Sequence, residues 1–462
     1  MNIVTCISSL IVASLIYGIV NAYAIKKQQT ILLAKKMFSF FSVVFGLMAL
    51  ELGGSMMLGT CQEAYTTGLM GLLYVVGISI GFLLLGFGFA AKMKAMKVES
   101  TIDIFEIKYR SPLIRTCASF LSILTLGGLL IGQVVAAKSL VHALGIHNDL
   151  IFILIFACII AYTVVGGLKT AGITYSAQLI YTLVVFSGIF GVCLFKEPPS
   201  FFTDILTSNT LSSDTTISFS AIFASIVMPA LYYLTDQEFA QPLFGISTKS
   251  QAAGAAICAS ICMVLFSLVP IYFGIKARAL QLVITDDMSP LIPILKLLTN
   301  NLIVVLALIG IAASLIAMID YYLWAVSLSI TNEISVIGKS LKENTQFNKY
   351  MVIIVGMVAV GGSYCTSSNA IQVLLYSYEL YDSCLIVPLL MSYFQSDLKK
   401  GSAIGAFLLG LSGFFLFRLI PLAIPGQIAS LLLSFLGFYL GGIIENIFRR
   451  IVAFKRSRAL SI

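Results

Sequence analysis

The chain is built from apolar runs of near twenty residues, separated by short polar stretches. This one feature excludes most folds. About 20 consecutive apolar residues cross the hydrocarbon core of a bilayer as a helix. The runs read approximately 3–23, 38–61, 68–91, 113–143, 149–166, 170–195, 218–235, 251–275, 302–335, 350–366, 370–394, 402–420 and 427–448, about thirteen spans in all. Apolar residues make up 59% of the 462 and charged residues only 10%, too few to cover a soluble surface. A β-barrel would show short segments of alternating polarity, and this chain does not. The fold class is an all-α polytopic membrane protein.

The charges test this count. With the N-terminus outside, 22 of the 28 Lys and Arg fall on the inner side, including Lys26, Lys27, the group from Lys92 to Arg115, Lys169, Lys399, Lys400 and the tail from Arg449. Only Lys138, Lys196, Lys276, Arg278, Lys296 and Arg418 fall on helices or the outer side. The positive-inside rule therefore expects an outer N-terminus and a cytoplasmic C-terminus. It also assigns the net charge of +8 to topology and not to nucleic acid. The nine cysteines form no CxxC pair, and His142 and His147 lack the carboxylate or thiol company of a metal site.

Two spans break the helix rule. Ala49–Tyr65 reads ALELGGSMMLGTCQEAY, where Gly53, Gly54 and Ser55 weaken a helix beside the carboxylate of Glu51. Such a carboxylate is costly in lipid and should face a cavity. The 218–235 span carries Pro229 in its interior, which predicts a kink. Each break opens one of two five-helix blocks. Paired interrupted helices in matching positions are the mark of transporters built from inverted repeats. The expected organisation is one transmembrane domain over 1–462. It comprises a peripheral helix at 3–23, a first repeat at 38–195, a second at 218–395, two peripheral helices within 402–448, and a cytoplasmic tail at 449–462.

Several motifs carry a resemblance. Tyr162, Thr163, Gly166, Gly167, Leu168, Thr174 and Gln178 match the sodium:solute symporter motif Y-T-x-x-G-G-L-x-A-V-x-x-T-D-x-x-Q, with Tyr175 where the motif has Asp. ELGGSMMLGTCQEAY resembles that family's broken first core helix. TIDIFEIKY resembles its inner segment, DQEFAQPLF a loop of the second repeat, and YSYELYDSCLIVPLLMSYF its tenth core helix. The resemblance implies the leucine-transporter fold, a 5+5 inverted repeat. It also implies symport by alternating access, with a solute site at mid-membrane.

By the same resemblance, sodium would be held by the carbonyls of Ala49 and Leu52 and by Ser314. Two positions where the family supplies hydroxyls are Ala317 and Met318, and neither side chain coordinates a hard cation. Three modes of coupling stay open: sodium through Ala49, Leu52 and Ser314; protons through Glu51 or Asp320; or no coupling. Glu51, Ser55, Met56, Gln133 and Tyr232 are the candidate solute contacts. Glu51 points to a cationic or amine-bearing solute. Lys138 is expected to reach outward, and Glu379 and Asp382 to serve packing or a gate.

No cofactor and no metal other than sodium is expected. The partners are a small solute and the lipid bilayer of the cytoplasmic membrane, with the chain a monomer or a weak homo-oligomer. A receptor working through a separate signalling partner is the rival of another class. HExxH and GxGD are missing from the spans, and no enzyme is expected.

Overall fold

A computed structural model of the chain describes residues 40–49, 51–96, 101–166, 171–197, 219–236, 239, 243, 248–284, 288–337, 345–366, 369–395, 398–420 and 424–459. The expected helix at 3–23, most of the outer loop after Lys196, and Gly167 lie outside them. Every long regular element among the described residues is helical. Nine of the helices are long and apolar enough to cross a membrane, and Asp149–Ala161 and Phe219–Thr235 are shorter apolar helices.

The second predicted span, 38–61, is two helices, α1 (Phe40–Ala49) and α2 (Gly54–Thr67). A 3-10 turn at Gly68–Gly71 reverses the chain. Gly68 has φ 67°, a left-handed conformation that glycine adopts without strain. The chain continues as α3 (Leu72–Leu84), a π-turn at Leu85–Phe89, and α4 (Ala90–Ala95). The inner segment forms α5 (Thr101–Tyr109). Then come α6 (Pro112–Ala143), α7 (Asp149–Gly166) and α8 (Ala171–Lys196).

The second half runs α9 (Phe219–Thr235), α10 (Lys249–Ala279), a short α11 (Leu291–Leu298), α12 (Asn301–Ile337) and α13 (Thr345–Tyr364). The next span is α14 (Ala370–Tyr381), a π-turn at Asp382–Ile386, and α15 (Val387–Phe394). The last two helices are α16 (Lys400–Leu419) and α17 (Gly426–Ala459), packed against each other.

One expectation is corrected. Pro229 does not interrupt its helix: α9 runs through it and ends at Thr235. A proline removes a single hydrogen bond, and here the surrounding packing holds the helix. The helix ends at Thr235, nearly two turns after the proline.

α2, α3, α9 and α10 pack as a bundle, and α6 carries α12 and α14. The α3–α9 seam is made by glycine. A Cβ on Gly77 would collide with the carbonyl oxygen of Ile226, and one on Gly81 would lie 2.6 Å from Tyr233 Cβ. Small residues four apart allow two backbones this close approach.

Arg115, at the start of α6, ties α5 to α12. Its guanidinium lies 3.0 Å from Asp103, 3.4 Å from Glu106 and 2.9 Å from Glu333. Lys138 sits 3.8 Å from the ring centroid of Tyr364, whose hydroxyl donates to Asp149 at 3.0 Å. The ammonium is thus engaged by an aromatic face.

Candidate functional site

The interruption between α1 and α2 creates the site. Glu51 and Leu52 N–H both donate to the Met48 carbonyl, at 3.2 and 2.7 Å, and Gly53 N–H donates to Glu51 O at 2.7 Å. The carbonyls of Ala49 and Leu52 accept no backbone hydrogen bond among the described residues. Broken backbone of this kind persists in a membrane only where protein or a cavity surrounds it. Here α12 closes against it. A Cβ on Gly53 would lie 2.9 Å from Met318 Cγ, and one on Gly54 would lie 2.8 Å from Ile311 O. Ala317 and Ile316 pack with Ala49, Ile159 and Tyr321. The Ser314 hydroxyl donates to Ile311 O at 3.0 Å. The face of α12 turned to the break is therefore largely apolar.

The carboxylate of Glu51 turns into the bundle and is 5% exposed. One oxygen accepts from the Tyr74 hydroxyl at 2.8 Å. The other accepts from the Tyr233 hydroxyl. The Tyr378 hydroxyl closes the figure, 3.0 Å from that of Tyr233 and 3.3 Å from that of Tyr74. Four groups from the break, α3, α9 and α14 thus form a closed ring of hydrogen bonds. No basic side chain pairs with Glu51 among the described residues.

Local sequence explains the placement. Tyr74, Gly77 and Gly81 fall three and four apart on one face of α3, so the glycine seam that seats α3 on α9 also aims Tyr74 at Glu51. Tyr232 and Tyr233 are neighbours on α9 and point about 100° apart. Tyr233 bonds Glu51, and Tyr232 lies over Tyr378 with ring centroids 4.6 Å apart and meets Tyr381 edge-on at 5.2 Å.

The other sequence candidates distribute as follows. Ser55 and Met56 are buried in the first turn of α2. Gln133 is buried on α6, and its carbonyl oxygen has no hydrogen-bond partner among the described residues. Asp320 is buried on α12. Gly166 ends α7. Thr174 and Tyr175 fall in α8, but their side chains, like that of Tyr162, lie outside the described ones. Gln178 is half-buried on α8, with its amide nitrogen unpartnered among the described residues. Glu379 pairs with Arg418 at 3.2 Å. Asp382 opens the π-turn of the α14 span, fully buried, and neither oxygen finds a partner among the described residues.

Tyr74, Tyr233 and Tyr378 are the functional candidates that the sequence reading missed. Tyrosines in apolar spans read as core or interface. The one local signal was a carboxylate in a break with no cation in the spans facing it, which must find hydroxyl or amide donors.

No family model matches the chain, and no curated protein matches it. Solved structures do. A sodium-coupled sialic acid symporter, in a substrate-bound outward-open state, is similar over 94% of this chain and 97% of its own, with TM-score 0.70 and 16% identity. A nucleobase-cation-symport-1 family transporter, closed with bromovinylhydantoin bound, is similar over 88% of this chain and 93% of its own, with TM-score 0.52 and 13% identity. The chain has their architecture, the leucine-transporter fold, and is an integral membrane protein.

Proposed function

We propose that this chain is a secondary active transporter of the sodium:solute symporter type. It moves a small polar solute across the cytoplasmic membrane by alternating access, N-terminus outside and C-terminus inside, as a monomer or weak homo-oligomer. The fold supports the mechanism. The motif residues around Gly166 and Gln178 support the family. The solute site centres on Glu51, with Ser55, Met56, Gln133 and Tyr232 around it.

The observation that carries the coupling is the Glu51 carboxylate, buried in the break and held by hydroxyls alone. A charge in a membrane interior is retained where it does work. We assign Glu51 as the proton-carrying group. Ala317 and Met318 at the face opposite the break weigh against sodium, because a hard cation needs oxygen ligands. A second reading has its own support: the unengaged carbonyls of Ala49 and Leu52, with Ser314 nearby, are sodium ligands by chemistry.

A thermal-shift screen of amines, amino acids, sugars, carboxylates and nucleobases on the purified protein identifies the solute. Uptake of that solute into proteoliposomes then decides the ion. A proton gradient alone should drive accumulation, and a sodium gradient alone should not. Accumulation driven only by sodium selects the second reading. Uptake indifferent to both gradients removes coupling.

A further inference from the structure

We propose that Asp382 is the counter-ion for the ammonium group of an amine-bearing solute. This deepens the solute site set out above, and it rests on that reading only in taking the occupant to be a small solute. The cationic end of the solute is moved from Glu51, whose oxygens are both taken by phenols, to a carboxylate that has no partner.

Asp382 has 0% exposure, and neither oxygen meets a donor among the described residues. Gaining a proton does not cure this. A carboxylate leaves its acceptors unmade, and a neutral acid leaves an O–H donor unmade. Either state is costly in the interior. The π-turn that Asp382 opens packs on α6, α9, α16 and α17. Arg115 of α6 is engaged by Glu333, Lys138 of α6 by the Tyr364 ring, and Arg418 of α16 by Glu379. Glu379 lies within electrostatic reach of Asp382, and Asp236 within reach of its neighbour Tyr381. Both are carboxylates, so the local field favours a cation. The missing partner is one that brings positive charge and hydrogen-bond donors together.

Position points the same way. Asp382 is four residues after Tyr378 and next to Tyr381, so the three side chains leave the helix within about 100° of one another. Tyr378 belongs to the ring around Glu51, and Asp382 stands one turn further along the same face. The Tyr232 ring, a candidate solute contact, lies 4.6 Å from the Tyr378 ring and 5.2 Å from that of Tyr381. Three phenol rings thus gather on the side of the helix that carries Asp382. A hard metal ion takes about six oxygen ligands or more. One carboxylate among phenol rings suits an ammonium group instead, which donates hydrogen bonds to the carboxylate and is drawn to aromatic faces. π-turns recur at functional sites in helices, and this one opens on the unpaired charge.

The test is binding to the purified full chain in lipid nanodiscs, read as a rise in Tm. Alkylamines, amino alcohols, amino sugars and amino acids are each run beside the compound that carries a hydroxyl in place of the amine. At least one amine should raise Tm of the wild type, and its hydroxyl counterpart should not. Asp382→Asn keeps the shape and removes the charge; it should weaken that amine about a hundredfold. Asp382→Ser, the second variant, should show the same loss. Glu379→Gln removes a charge one turn away and should weaken the amine less than about fivefold. A wild type stabilised by no amine overturns the proposal, as does an equal response to amine and hydroxyl compound. So does full amine affinity in either Asp382 variant. Stabilisation by sodium or potassium chloride alone that vanishes in Asp382→Asn would make the occupant a metal ion and overturn it too. Uptake into proteoliposomes separates this site from the transporter reading. An amine bound through Asp382 but never accumulated leaves the site and removes transport. Accumulation of a neutral or anionic solute, with no amine bound, removes the site and leaves transport.

Discussion

The glycine seam between α3 and α9 yields a prediction whose sign follows from geometry. In Gly77→Ala the new Cβ would meet Ile226 O inside any allowed contact and lie 2.9 Å from Ser225 O. Both obstacles are backbone, so no side chain can swing aside. Relief requires α3 and α9 to part by about 1 Å, given ordinary contacts of about 3.5 Å. Overpacking of this kind costs about 1–3 kcal/mol, and alanine returns about 1 kcal/mol of helix propensity. The net expectation is a loss of up to about 2 kcal/mol. The functional effect should be larger than the structural one. The Tyr74 hydroxyl stands 2.8 Å from Glu51, and a 1 Å retreat takes it past hydrogen-bond range, about 3.2 Å. The matched control is Gly188→Ala on α8, where a Cβ meets no heavy atom within 4 Å and stability should rise by about 0.5–1 kcal/mol. Thermal unfolding and uptake of the screened solute are the assays. Gly77→Ala should lower Tm and cut uptake at least about tenfold; Gly188→Ala should raise Tm and leave uptake alone. Equal shifts of Tm in the two variants, or unimpaired uptake in Gly77→Ala, would refute the claim that this seam aims Tyr74.

Asp382 is fully buried and unpartnered among the described residues, so Asp382→Asn should stabilise the protein by about 1–3 kcal/mol; a fall in Tm would show that the carboxylate is engaged. Arg115→Ala releases three carboxylates on α5 and α12 and should cost about 1 kcal/mol, given that the groups are partly exposed, with proteolysis of α5 rising as Tm falls. The double change Ala317→Ser and Met318→Ser puts two hydroxyls on the α12 face against the break. Sodium at about 100 times its Kd should then stabilise the variant by about 2.7 kcal/mol while leaving the wild type unmoved, and an equal response of both would favour the sodium reading for the native chain.

How much of this was legible in the sequence depends on the range of the interaction. The spans follow from composition and length alone. The break at 51–54 follows from Gly53, Gly54 and a carboxylate set within an apolar run. Pro229 misled because local propensity was read without the α3 packing that holds α9 together. The ring was out of reach: Tyr74 and Tyr233 lie 23 and 182 residues along the chain from Glu51, and Tyr378 lies 304 from Tyr74. Adjacent Tyr232 and Tyr233 differ only in helical rotation, which no local pattern reveals.

The two unusual features at the centre of the membrane belong together. A sodium held beside the break would keep Glu51 ionised by its charge, and a lysine or arginine partner would do the same. This chain turns the apolar Ala317 and Met318 toward one side of the break and supplies three phenols on the other. Phenols give and accept hydrogen bonds at neutral charge, so the ring is satisfied with the proton present or absent. A carboxylate meant only as a strut across the break would be better served by a fixed cation, or by an amide with no charge to bury. Under the proposed proton coupling, the tyrosine ring suits a group that changes its charge in place.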